Sequence, residues 1–134
     1  MLSFHQDVRQ DLAVIKAKDG VQSYARILAL MRQMQADAGL VDRLLEHGFG
    51  SDRRHAFSVS KWLAVWRQGK DLWRMKWWDL EAKRVRYRFV YVYLRKEARF
   101  VVMAIVNRKN LDYDNPQDPI RQRIFKSLRQ SYGL

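Results

Sequence analysis

The sequence predicts an α+β fold, and three observations predict it. Apolar residues between Val8 and Met34 recur at three- and four-residue spacing, the helical period. Between Leu72 and Lys109, in LWRMKWWDLEAKRVRYRFVYVYLRKEARFVVMAIVNRK, the spacing falls to two, the period of strands. From about Pro119 to about Gln130 the helical period returns.

Taken in order, Gln6 to Lys18 carries a weak apolar stripe of Val8, Leu12, Ala13 and Ile15, and Asp19-Gly20 is a stop signal. Val21 to Ala38 follows with Tyr24, Ile27, Leu28, Met31 and Met34 on one face, closed by Gly39. The two segments predict a helical hairpin packed on the sheet, and Leu40 to His47 allows a short third helix. Residues 48–60, GFGSDRRHAFSVS, read as a loop. Trp62 to Gln68 fits either a helical turn with Trp62 and Trp66 stacked at four-residue spacing or an edge strand.

Three strands come next. Trp73, Met75 and Trp77 alternate with Arg74 and Lys76, which separates the large apolar groups from both cations. Val85, Tyr87, Phe89, Tyr91 and Tyr93 alternate with Arg86, Arg88, Val90 and Val92. Phe100 to Val106 is apolar throughout, as a central strand covered on both faces would be, and Asn107, Arg108 and Lys109 follow it. Asp79 to Arg84 and Arg95 to Arg99 are polar enough for hairpin loops, so the strands are expected to run antiparallel, with one face on a core and the other gathering a basic surface. After the turn-rich NLDYDNPQDP, Ile120, Ile124, Phe125 and Leu128 define a closing helix with proline at its first position, expected at the edge of the sheet.

With 134 residues, 48 % of them hydrophobic, the chain reads as a single domain: 1–60 mainly helical, 61–111 a basic sheet, 112–134 a loop and a C-terminal helix. There is no cysteine, which excludes disulfides, thiol nucleophiles and cysteine zinc sites. No stretch has the roughly 20 apolar residues of a membrane helix, so a soluble, cytoplasmic protein is expected. The net charge of +12 is concentrated: residues 1–60 hold 8 Lys and Arg against 7 Asp and Glu, residues 61–111 hold 14 against 4, and the remainder 4 against 3. Clustered cations attract a polyanion, and nucleic acid is the commonest such partner of a soluble protein.

Motifs for nucleotide phosphate loops, dinucleotides, nucleophile elbows and zinc peptidases are missing, and carboxylates are scarce where the cations gather. No metal or cofactor is expected. His5, His47 and His55 lie outside the strands and read as surface or loop residues, with His55 beside Arg53 and Arg54 the one held in reserve. What remains is arginine, lysine and tyrosine. These can cleave RNA, whose own 2′-hydroxyl serves as nucleophile: a lysine of lowered pKa takes its proton, cations neutralise the phosphorane, and an arginine or tyrosine assists the leaving 5′-oxygen. DNA lacks that nucleophile.

The order of helical hairpin, LWRMK, YRFVY and an apolar strand ending NRK resembles the RelE/ParE superfamily of bacterial type II toxins, many of which are ribosome-dependent mRNA endonucleases. The resemblance implies a further strand ahead of the hairpin, for which Met1 to Phe4 are available. By position it implies that Arg74 and Lys76 are the basic pair that neutralises charge and favours hydroxyl deprotonation. Arg88, within Tyr87-Arg88-Phe89-Val90-Tyr91, would bind the scissile phosphate, and Arg108 or Lys109 would serve the leaving group. Arg86, Tyr91, Tyr113 and Lys61 are the candidates for further RNA contacts. The implied partners are mRNA on the ribosome and a cognate antitoxin. Two other readings remain open: a non-catalytic nucleic-acid-binding module using the same patch, and an inhibitor of a protein target, as in the gyrase-poisoning branch. The alternative for Arg88 itself is a structural ion pair with Asp79, Glu81 or Glu97. An Arg88 locked in an interior pair, or lying apart from Arg74, Lys76 and Arg108, would leave only a positively charged small domain.

Overall fold

The two-residue alternation at the centre of the sequence becomes the middle of a five-stranded sheet. The computed structural model describes residues 1–134. In chain order they form β1 (Leu2–Phe4), α1 (Val8–Ala36), a 3-10 turn (Leu40–Arg43), β2 (Phe57–Lys61), α2 (Leu63–Trp66), β3 (Leu72–Trp77), α3 (Trp78–Ala82), β4 (Tyr87–Leu94), β5 (Arg99–Asn107) and α4 (Pro119–Tyr132). The strand order is β1-β5-β4-β3-β2. The β3–β4 and β4–β5 pairs are antiparallel as expected, β2 adds a further antiparallel strand beside β3, and β1 joins β5 in parallel, so the sheet is mixed.

The predicted stop at Asp19-Gly20 divides α1 into two helical segments. Gly20 leaves the helical region at φ 88°, a left-handed conformation suited to glycine, and helix resumes directly after it. The Tyr87 hydroxyl of β4 donates to the Asp19 carboxylate, which ties the break to the sheet.

Residues 1–60 are less helical than expected, since they contribute both edge strands. β2 lies within the segment read as a loop. Its outer edge is occupied by the chain just before it: Gly48 N–H donates to Val59 O, Val59 N–H to Phe49 O, and Lys61 N–H to His47 Nδ1. Gly50 has φ 73° and lies so close to Phe57 that any Cβ there would overlap the Phe57 carbonyl. The free backbone of an edge strand is thereby satisfied locally.

Both faces of the sheet carry a core, which corrects the expectation of one apolar and one basic face. Under α1 lie Trp73, Met75, Phe89, Tyr91 and Val102 together with Ile15, Ile27 and Met34. On the other face Leu72, Val90, Val92, Val101 and Met103 meet Ile124 and Leu128, so α4 covers the sheet instead of sitting at its edge. Asp118 caps that helix, its Oδ1 accepting from the N–H groups of Ile120 (2.9 Å) and Arg121 (3.2 Å), which contributes about 1 kcal/mol. Trp62 belongs to the α4 side while Trp66 packs edge-on to Trp73 on the α1 side, so the two do not stack. His5, expected at the surface, is buried, with Nε2 3.0 Å from the Ser131 hydroxyl.

Strand β5 contains one extra residue. Val90 pairs with Ala104 and Tyr91 with Val102, leaving Met103 unmatched. The bulge lets Val101, Met103, Ala104 and Val106 all serve the α4-side core while Val102 and Ile105 serve the other.

Candidate functional site

α4 does not reach the whole of its face. Along that face β3 presents Leu72, Arg74 and Lys76, β4 presents Arg88, Val90, Val92 and Leu94, and β2 presents Ser58 and Ser60. The apolar members lie beneath the helix. The polar ones fall beyond it and form the floor of an open cleft of about 280 Å³, lined by Ser58, Ser60, Arg74, Met75, Lys76, Arg88, Arg108 and Tyr113. The cleft is small and polar, a size suited to one phosphate group more than to a drug-sized ligand.

Four of the five cations predicted as catalytic therefore meet: Arg74, Lys76, Arg88 and Arg108. Register explains it. Ser58 pairs with Lys76, Ser60 with Arg74 and Arg88 with Val106, while Arg108 N–H donates to the Arg86 carbonyl just ahead of β4. The β3–β4 pairing ends at Met75–Phe89, and just past it the Arg88 charge acts on the Lys76 ammonium, an arrangement of like charges that is costly unless something negative relieves it. Glu81 on α3 supplies the relief, its carboxylate pairing with Arg88 Nη1.

Arg88 thus has one of its anticipated ionic partners. The pair is partly enclosed, with side chains 12 % and 17 % exposed. Within the protein the guanidinium hydrogen-bonds through Nη1 alone, to Glu81 and at 3.4 Å to the Tyr87 carbonyl, and its Nε and Nη2 are not among the sequestered polar atoms. Arg74 is held from two sides: Nε donates to the Ser60 hydroxyl at 2.9 Å, and its guanidinium lies 4.5 Å from the centre of the Tyr113 ring. Arg108 is exposed and its side chain makes no hydrogen bond or ion pair.

Two groups lining the cleft have displaced proton equilibria. Burial, then the Arg88 charge, pulls the Lys76 ammonium below its ordinary value; Glu81 opposes this, and Arg53 and Arg74 add to it. Burial pushes the Tyr113 phenol up, opposed by the charges of the nearby Arg74 and Arg88. Four cations line the cleft against the single carboxylate of Glu81 beside it, which leaves it with an excess of positive charge.

The remaining predicted residues fall elsewhere. Lys109 is exposed in the turn after β5, its backbone N–H donating to Asn107 Oδ1, and does not line the cleft. Arg86 precedes β4 and is also outside it. Tyr91 is 1 % exposed in the α1-side core, its hydroxyl donating to the Leu44 carbonyl at 2.5 Å, so it cannot touch RNA. Lys61 alternates to the α1 side, its ammonium 4.4 Å from the centre of the Trp66 ring. The step of one residue that puts Ser60 in the cleft takes Lys61 out of it. His55 stacks on Phe49 at 4.5 Å, away from the cleft.

Sequence reasoning missed Ser58, Ser60 and the placing of Glu81 at the site. The alternation in Phe57-Ser58-Val59-Ser60 carried the signal for the serines. No helix is long and apolar enough to cross a membrane. Compared with known protein families, curated proteins and solved structures, the chain matches none.

Proposed function

We propose that the cleft binds the phosphodiester backbone of RNA and that the chain cleaves RNA there as a toxin-type, metal-independent endoribonuclease. The observation that carries this reading is the convergence of Arg74, Lys76, Arg88 and Arg108 from two strands and the turn after a third around one open cleft. Neutral Lys76 accepts the proton of the 2′-hydroxyl as its oxygen attacks phosphorus. Arg74 and Arg88 neutralise the phosphorane. The P–O5′ bond then breaks with Arg108 hydrogen-bonded to the departing oxygen, which takes a proton from solvent while Lys76 returns the one it accepted to solvent, leaving a 2′,3′-cyclic phosphate and a 5′-hydroxyl end. The cellular setting, with a cognate antitoxin and mRNA on the ribosome, rests on the motif resemblance alone.

The Arg88–Glu81 pair favours a second reading, a non-catalytic RNA-binding module, because half of the charge meant for the phosphate is already answered from within. One experiment separates the two. End-labelled single-stranded RNA and its all-deoxy counterpart are incubated with the protein and with the Arg88→Ala variant in the presence of a chelator. Cleavage of RNA but not DNA, leaving cyclic phosphate ends and lost in the variant, is the expected result. Salt-sensitive binding of both polymers with no cleavage establishes the binder instead.

A further inference from the structure

Four of the five tryptophans are accounted for by packing: Trp62, Trp66, Trp73 and Trp77 all belong to or rest on one of the two cores. Trp78 does not. It opens α3 directly after the strand that carries Arg74 and Lys76, it is half-buried, and it is part of neither core. Its indole is nevertheless held in place, Nε1–H donating to the Gly50 carbonyl at 3.0 Å, and Gly50 is itself fixed against β2. The Lys76 ammonium, which lines the cleft, lies 4.7 Å from the centre of the ring, and the Arg53 guanidinium lies 4.5 Å from it. Arg53 is exposed on the loop before β2, at φ 66°, and makes no ion pair.

An anchored aromatic ring beside a phosphate-sized cationic cleft has the form of a nucleotide subsite. A nucleotide has a charged phosphate and a flat base, and unpaired bases are recognised by stacking on aromatic side chains and on arginine planes. We infer that Trp78 is the stacking platform for an unpaired nucleobase of single-stranded RNA whose adjoining phosphate occupies the cleft, with Arg53 moving off the indole to close over the other side of the base. Lys76 joins the two halves, since one ammonium faces both the cleft and the ring. Nothing at the site reads base edges, so stacking there tolerates any base and selects against paired ones, whose faces are covered. The inference rests on the reading of the cleft as an RNA phosphate site.

The test uses a short 2′-deoxy oligoadenylate, which cannot be cleaved, and the same oligomer with abasic sugars. Binding of each to the full chain and to Trp78→Ala is measured by fluorescence anisotropy, with Trp78→Phe as the conservative variant and a thermal melt to establish folding. Trp78→Ala is expected to weaken binding of the oligoadenylate about 5- to 140-fold while leaving the abasic oligomer unchanged, and Trp78→Phe to recover most of the loss. Equal binding of both oligomers by the unaltered chain, or an equal loss on both in Trp78→Ala, overturns the stacking site and leaves the cleft intact. Failure of every oligomer to bind at low salt overturns the cleft as well.

Discussion

Two of the six arginine–carboxylate pairs have both side chains largely enclosed, and they are built differently. In one, Arg123 of α4 grips Asp11 of α1 with both terminal nitrogens, Nη1 to Oδ1 at 2.6 Å and Nη2 to Oδ2 at 3.0 Å. Asp11 Oδ2 also accepts the Ile105 N–H at 3.0 Å, one residue past the β5 bulge, and its side chain is only 7 % exposed. The other pair joins Arg88 to Glu81 through a single nitrogen, at the margin of a cleft that holds three more cations. The first carboxylate is used up by partners that cannot leave without opening the fold. The second holds Arg88 through one terminal nitrogen only, which leaves the guanidinium with donors for another anion. Similar chemistry thus serves as a lock in one place and, on the proposed reading of the cleft, as a stand-in for a phosphate in the other.

The largest expected effect breaks the lock. Asp11→Ala leaves the partly exposed Arg123 guanidinium and the buried Ile105 N–H without their carboxylate and is expected to cost about 2–4 kcal/mol in denaturant unfolding. Glu81→Gln removes the other carboxylate and is expected to cost at most about 2 kcal/mol, because the freed guanidinium stays hydrated through the cleft. Equal losses from the two would abolish the distinction.

Next in size is the loss of the exchangeable arginine. Arg88→Ala is expected to lower RNA cleavage about 10²- to 10³-fold, the usual consequence of removing one donor to a developing oxyanion. Arg123→Lys retains its charge at the lock and is expected to leave the cleavage rate of the folded fraction unchanged. Single-turnover kinetics on the two variants checks both halves.

What could be read from the amino-acid order follows the same division between local and distant causes. Period-two alternation in Trp73 to Trp77 and Tyr87 to Tyr93 is a property of neighbours, so β3 and β4 and the grouping of Arg74, Lys76 and Arg88 were legible. So were the break at Gly20 and the start of α4 at Pro119. β2 was hidden because five residues with two serines, preceded by glycines and charges, carry too short an alternation to compete with a turn signal. Tyr91 lies in a tyrosine-rich strand where parity assigns it to the α1 side, but what covers that side is set by α1, far away in sequence. Glu81 could be named as a partner for Arg88, yet its use at the cleft depends on the short helix α3, which reads as a polar loop. The distinct fate of Trp78 among five tryptophans is likewise a matter of packing alone.

A smaller effect sharpens the idea of a stand-in ligand. Bound to Glu81, Arg88 releases no counterion when a phosphate replaces the carboxylate, so it adds little to the salt dependence of RNA binding. Glu81→Gln is expected to tighten binding at low salt and to steepen the plot of log affinity against log salt concentration by about 0.7, the contribution of one additional ionic contact to a single strand. An unchanged slope in an anisotropy titration would mean that Arg88 does not meet the phosphate.

The finest consequence concerns Lys76, because Glu81 is the one group that raises its proton affinity against burial and the Arg88, Arg53 and Arg74 charges. Below its lowered pKa, Lys76 is protonated in both folded and unfolded chains and the folded state bears the cost of enclosing the charge. Between that pKa and its ordinary value of 10.5, the unfolded chain binds a proton that the folded chain has released, so stability rises with pH across this window. Lys76→Gln is expected to remove the rise. Cleavage should climb over the lower part of the same window as neutral Lys76 accumulates, and Lys76→Arg, which stays charged, should lack that limb. Taking away the Glu81 carboxylate removes the opposing influence, so in Glu81→Gln the Lys76 ammonium should titrate at lower pH, whereas Asp11→Asn, at the lock, should leave it where it was. Following the Lys76 side chain by NMR in the two variants reads this directly and does so whether or not the chain cleaves RNA; equal shifts would show that the two carboxylates are not the separate devices their geometry makes them.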